Sequence, residues 1–146
     1  MRPSGKMLEP RLIAFPSFCD DRGSIAVIEF AECLPFTPKR FYYIYDSDPK
    51  SVRGAHSHWK EQELILALRG TFRVRLDDGR RKSEYVLDRA DVALYVPPST
   101  WHEVFEFSAG SLCAVFASEP YNKEDYCVDY QQFIRNHDQC GSGSVP

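Results

Sequence analysis

The chain has 146 residues, 27% of them charged and 14% aromatic, with a formal net charge of −3. That length supports one well-filled core and not two. No apolar run approaches a membrane span, and the charge balance offers no basic surface of the kind that grips a nucleic-acid polymer. Residues 1–6 lack the apolar stretch of a secretory signal, so a cytoplasmic protein is expected.

In chain order, short runs rich in aromatic and β-branched residues predict strands at 24–30, 40–45, 54–58, 63–68, 71–76, 83–87, 92–96, 102–107 and 112–117. This is the pattern of an all-β sandwich or barrel. Phe72, Val74 and Leu76 alternate with Thr71, Arg73 and Arg75, so one face of that strand is buried and the other wet. Asp77-Asp78-Gly79 follows as a hairpin turn, and Gly70 separates two further apolar runs; both are read as points where consecutive antiparallel strands fold back. Arg80-Arg81-Lys82 is the solvated end of that hairpin.

Pro97-Pro98 cannot donate backbone hydrogen bonds and ends the strand before it, delivering Trp101 and His102 to the next strand at a barrel mouth. Asn122-Lys123-Glu124-Asp125-Tyr126, with Tyr130, Phe133 and Ile134, predicts a short amphipathic helix capped by Asn122. His137 reads as a surface or hydrogen-bonded residue of a polar tail. The expected organisation is an N-terminal extension and first strand over 1–20, one domain over 21–134 and a disordered tail over 135–146.

Cys19, Cys33, Cys113, Cys127 and Cys140 are odd in number and lack a Cys-x-x-Cys spacing, which predicts reduced thiols, neither a disulfide framework nor a structural zinc site. Cys113, inside an apolar run, reads as a small core residue.

The chemistry concentrates in Arg53-Gly54-Ala55-His56-Ser57-His58, followed by Glu63, Gly70 and, later, Pro97, Trp101 and His102. Residues two apart in a strand share a face, so His56 and His58 project side by side. Two neighbouring imidazoles in one cavity mean a metal site or proton-transfer chemistry, and spacing alone leaves both open.

The arrangement Gly54-x-His56-x-His58-x4-Glu63-x6-Gly70, with Pro97 and His102 downstream, resembles the two motifs of the cupins. More narrowly, Asp21-Arg22-Gly23-Ser24, Lys39-Arg40-Phe41-Tyr42-Tyr43-Ile44, the histidine motif, Leu76-Asp77-Asp78-Gly79, Val96-Pro97-Pro98 with Trp101-His102-Glu103, and Tyr121-Asn122-Lys123-Glu124-Asp125-Tyr126 resemble the dTDP-4-keto-6-deoxyglucose 3,4-ketoisomerases of the WxcM-like cupin family. The resemblance implies a cupin-type double-stranded β-helix, or jelly-roll barrel, with a short C-terminal helix. It also implies a reaction that moves a ketone from C4 to C3 of a dTDP-linked 6-deoxyhexose, preparing 3-amino sugars of surface polysaccharides. It further implies no metal, no cofactor, and a homodimer that exchanges an N-terminal strand.

Carried onto this sequence, the resemblance favours His58 as the base that takes the C3 proton, with His56 orienting or shuttling. Tyr43 is the candidate hydroxyl donor to the sugar oxygens and His102 a second acid-base group serving C4. Arg53 is placed on the enediolate or a phosphate, Arg22 and Arg40 on the pyrophosphate or sugar edge, and Trp101 against the hexose or thymine. One departure stands out: Glu63 occupies a position that is usually Gln in ketoisomerases. A metal-dependent cupin using His56, His58, Glu63 and His102 is therefore an alternative, as is a non-catalytic sugar-nucleotide-binding cupin.

Overall fold

A computed structural model describes residues 8–141, with side chains as far as 139. Twelve strands and two helices are arranged as β1 (Arg11–Ala14), β2 (Ser17–Asp20), β3 (Gly23–Ala26), the single turn α1 (Phe30–Cys33), β4 (Arg40–Ile44), β5 (Arg53–His58), β6 (Glu63–Arg69), β7 (Phe72–Asp77), β8 (Lys82–Leu87), β9 (Val92–Val96), β10 (Trp101–Phe105), β11 (Leu112–Ala117), β12 (Tyr126–Cys127) and α2 (Tyr130–Gly141). A 3-10 turn at Lys123–Asp125 precedes β12.

The strands form two antiparallel five-stranded sheets, ordered β1-β9-β6-β11-β4 and β12-β5-β10-β7-β8. From β4 to β11 the chain alternates between sheets, interrupted only by the β7–β8 hairpin; this is the jelly-roll winding. At the Asp77-Asp78-Gly79 turn Gly79 takes φ +88°, as the hairpin demands. Gly70 also takes a positive φ, +71°, but joins strands of different sheets. The turn chemistry expected there is present; the direct pairing across it is not, because the chain crosses the sandwich.

Between the sheets lie Ile65, Phe72, Val74, Leu76, Leu94, Val115 and their neighbours, and β7 buries its alternate apolar residues as its pattern requires. The outer face of the first sheet is apolar too. Leu64, Leu66, Ala93, Tyr95 and Ala114 are covered there by Phe15, Ile28, Leu34 and Phe36 of the N-terminal segment, which explains why β6 carries no polar alternation. The outer face of the second sheet is covered by α2, whose Phe133, Tyr130 and Ile134 pack on Trp101 and Cys127.

The expected C-terminal helix is present with a different start. Asn122 caps the 3-10 turn through the Glu124 amide, β12 intervenes, and Asp129 caps α2 by accepting from Gln131 and Gln132. α2 continues to Gly141, so the part of the expected tail from 135 to 141 is helical, and residues 142–146 lie outside the described residues. His137 is not a tail residue but a fastener: its ring contacts the Phe133 and Ser99 carbonyls at 2.9 and 3.1 Å. Cys19, Cys33, Cys113 and Cys127 are free thiols, and burial pushes Cys113 up to about 12, which keeps it inert. No described helix is long and apolar enough to cross a membrane.

Candidate active site

The two sheets gape at one end to enclose a cavity of about 730 Å³. Ile65, Val104, Cys113 and Val115 form an apolar floor; His56, Glu63, His102 and Tyr42 form the polar wall; Arg40, Arg53, Tyr121 and Tyr126 stand around them. An apolar cleft with a few convergent polar groups is the usual form of a small-molecule site.

Strand pairing sets the wall. β5 runs between β10 and β12, so His56 lies opposite His102 and His58 opposite Tyr126. The His56 ring is 4.8 Å from that of His58 and 4.6 Å from that of His102, centroid to centroid. Gly54 and Ala55 both take positive φ, and the ladder slips beside them at His102–Glu103, so the strand is kinked immediately before the histidines.

Glu63, at the start of β6, is fully buried and faces this cluster, with Oε2 3.4 Å from His102 Nε2 and Oε1 3.6 Å from His58 Nε2. The Tyr42 hydroxyl donates to Glu63 Oε1 at 2.9 Å. Glu61 is buried as well and receives a two-pronged contact from Arg40, at 2.9 and 3.1 Å, while lying 3.6 Å from His58 Nε2. Asp125 approaches the other face of that ring, Oδ2 to Nδ1, at 3.6 Å. His58 is thus ringed by three carboxylates with neither nitrogen at hydrogen-bond length from a partner.

These surroundings push the paired histidines apart. Burial, then the neighbouring His102 and His58, depress His56 to about 4, so it is neutral near pH 7. Burial opposes a charge on His58 too, but the contacts with Glu63, Glu61 and Asp125 outweigh it and its pKa is raised. Glu63 follows the same logic in reverse: burial disfavours its charge, and His58, His102 and the Tyr42 hydroxyl together hold it well below the usual carboxylate range. Burial lifts Glu61 to about 7 against the pull of His58 and Arg40. His102 is lowered by burial, with Glu63 opposing.

The histidine motif, His102, Glu63 and Arg53 therefore converge, but four of the expected site residues, Trp101, Tyr43, Arg22 and His58, do not present the expected groups to the cavity. Trp101, adjacent to His102 in β10, faces the opposite side of the sheet and packs under α2. Tyr43 touches the cavity, yet its ring stacks between Phe41 and Tyr45 on the half-exposed outer stripe; the inward hydroxyl is that of Tyr42. Arg22 sits at the tip of the β2–β3 hairpin, its side chain 89% exposed and paired with Asp20. Arg40 lines the cavity with its charge engaged by Glu61, while Arg53 enters no ion pair among the described residues. His58 itself stands behind the wall, 3% exposed, and His56 is the member of the pair that meets the cavity. Glu61, Asp125, Tyr42 and Tyr126 complete the site without having been singled out for it.

One nitrogen from each of His56, His58 and His102 lies within 4.8 Å of the others, a spacing one metal ion could use; His58, Glu61 and Asp125 form a second such group. Ligation needs a neutral imidazole, so an ion held there would have to displace the proton that the surrounding carboxylates favour on His58.

A family model described as FdtA, WxcM-like, C-terminal, matches residues 8–138. The chain belongs to this WxcM-like family. It is 40% identical over 126 residues to the TDP-4-oxo-6-deoxy-alpha-D-glucose-3,4-oxoisomerase of Aneurinibacillus thermoaerophilus, covering 86% of this chain and 91% of that one. Among solved structures, a variant of the 3,4-ketoisomerase of Thermoanaerobacterium thermosaccharolyticum in complex with TDP-4-keto-6-deoxyglucose superposes with a TM-score of 0.87 at 34% identity, over 91% of this chain and 97% of that one. A 3,4-ketoisomerase of Helicobacter canadensis gives 0.86 at 33%, over 90% and 99%. The cupin-type jelly roll expected from the motifs is the fold these relatives share.

Proposed function

We propose that the chain is a sugar-nucleotide 3,4-ketoisomerase, moving the keto group of a dTDP-linked 4-keto-6-deoxyhexose from C4 to C3. The observation that carries the mechanism is the division of the histidine pair, one ring on the cavity and one ringed by carboxylates behind it. Groups whose environments push their pKa values apart are natural acid–base partners.

His56 replaces His58 as the base in this reading. Its Nδ1 lies 3.0 Å from the Gly54 carbonyl, an acceptor only, which places the proton on Nδ1 and leaves the Nε2 lone pair for the substrate. Nε2 takes the proton from C3; the C–H electron pair closes C3=C4, and charge moves onto O4, which is protonated to give the enediol. Loss of the O3 proton then forms C3=O and returns the electron pair to C4, which takes up a proton. Tyr42, Glu63 and His102 supply the route between the two oxygens, and Arg53, beside the cavity and without an ion pair among the described residues, meets the enediolate or the diphosphate.

The β2–β3 hairpin supports a homodimer. Phe18 and Ile25 are 65% and 66% exposed, and a two-stranded ribbon with no buried face needs a second surface. In an exchanged dimer it carries Arg22 toward the neighbouring copy. A nucleotide-sugar substrate accords with the cytoplasm.

NMR of one incubation with dTDP-4-keto-6-deoxyglucose in heavy water tests the reading. Deuterium at C4 of a 3-keto product is expected; label at C3 and C5 would instead mark a 3,5-epimerase, and binding without exchange a non-catalytic module. Turnover that survives exhaustive chelation is expected, and its stoichiometric loss and return with metal would favour the metal-dependent alternative.

A further inference from the structure

Asp125 lies 67 positions beyond His58, yet it holds the turn that follows the histidine motif. Its Oδ1 accepts from the Lys60 amide at 2.9 Å, its Oδ2 from the Glu61 amide at 3.0 Å, and its backbone carbonyl from the Trp59 amide at 3.0 Å. Three consecutive amides thus close on one residue. The same Oδ2 is 3.6 Å from His58 Nδ1. The next residue, Tyr126, pairs with His58 in the sheet, and its ring lies 4.3 Å from the His58 ring and 4.8 Å from the His56 ring.

We infer that Asp125 is a positioning residue for the isomerisation, setting the orientation of His58, and through it of His56, from the far end of the chain. This rests on the ketoisomerase reading given above. The His58 nitrogens have no partner at hydrogen-bond length, so the ring is held by charge and by packing alone, and the carboxylate on its Nδ1 side comes from Asp125. His58 also faces Glu61, Glu63, His56, His102 and Tyr126. Of the three carboxylates, Glu61 is engaged by Arg40 and Glu63 is shared with Tyr42 and His102. Asp125 is the one whose remaining contacts are backbone amides of the His58 turn itself.

A neighbouring clamp provides the control. Ser118 Oγ accepts from the Gln62 amide at 2.8 Å in the same turn but approaches none of the histidines. If the turn merely needs fastening, both variants lose stability, Asp125→Asn more because its carboxylate holds two amides against the one on Ser118 Oγ, and kcat of the folded protein is unchanged in each. If Asp125 orients His58, Asp125→Asn lowers kcat on the order of 10²-fold, the scale of a small misplacement of reacting groups. Its KM then stays within about threefold, while Ser118→Ala stays close to wild type in both.

Thermal unfolding establishes that each variant is folded, and the Nδ1 resonance of His58 in 15N-histidine-labelled protein reads the ring without turnover. That resonance is expected to shift in Asp125→Asn and not in Ser118→Ala. A kcat of Asp125→Asn within a few-fold of wild type in the folded protein, or an unmoved His58 resonance, overturns the inference. If Asp125→Asn does not fold, Asp125→Glu, with its carboxylate displaced by one methylene, carries the same test; wild-type kcat there overturns it. A wild-type protein that exchanges no sugar proton overturns the ketoisomerase reading, and an unshifted resonance overturns the role of Asp125 separately.

Discussion

The second sheet has two faces made from the same strands, and their polar groups are treated in opposite ways. Under α2, contacts are closed: Trp101 packs on Phe133 and Tyr130, and the Tyr130 hydroxyl donates to buried Asp77 at 2.5 Å. On the cavity face, one residue along β10, His102 and its neighbours approach their carboxylates at 3.4 to 3.6 Å. A face closed by aromatic packing holds the fold, while the ionic cavity face keeps groups available to exchange protons. Adjacent residues of a single strand are thereby committed to stability and to chemistry.

Substitution on the cavity face should break that division most sharply. His56→Asn is expected to lower kcat by about 10²–10⁴-fold, the range for loss of a general base, with the urea midpoint nearly unchanged. The pH dependence of kcat/KM sharpens the same point. Because burial and its two histidine neighbours depress His56, protonation should begin to remove the base only near its value of about 4, and the rate should hold on descending from pH 7 through the ordinary histidine range. An acid limb centred on the ordinary value of 6.5 would assign the base to another group.

On the closed face the expected effect is on folding instead. Trp101→Ala removes a buried aromatic from beneath α2 and should cost about 3–5 kcal/mol in chemical denaturation, with kcat retained in the folded fraction. The smallest contrast lies within β4. Tyr42→Phe takes a hydroxyl from Glu63 and is expected to lower kcat about tenfold, whereas Tyr43→Phe, on the outer stripe, should be indistinguishable from wild type in the same assay.

Much of this architecture can be read from the sequence where polarity alternates or where turn signals bound an apolar run. β7 shows its two faces in its residues, and the bounds of β9 and β11, both continuous apolar runs, match the reading. A first strand is expected within residues 1–20, but its bounds and the second strand there are not legible, because residues 8–20 carry no alternation; β1 becomes a strand by pairing along β9. The phase of β4 was hidden for a related reason: Phe41-Tyr42-Tyr43 is aromatic throughout, so nothing in it says which ring turns inward. Trp101 is different. A period of two already forbids Trp101 and His102 from sharing a face, and that signal was present. What no local pattern contains is the unequal proton affinity of His56 and His58, which depends on Glu61, Glu63 and Asp125 arriving from other segments.

The kink ahead of the histidines has one more consequence. A β-carbon at Gly54 would stand 2.8 Å from the His102 backbone oxygen and 3.3 Å from its ring, on a backbone already at φ +81°. The gap between the two strands that bear the imidazoles is therefore set by a missing methyl group. Alanine there would wedge them apart and detune the pair without touching either ring's chemistry.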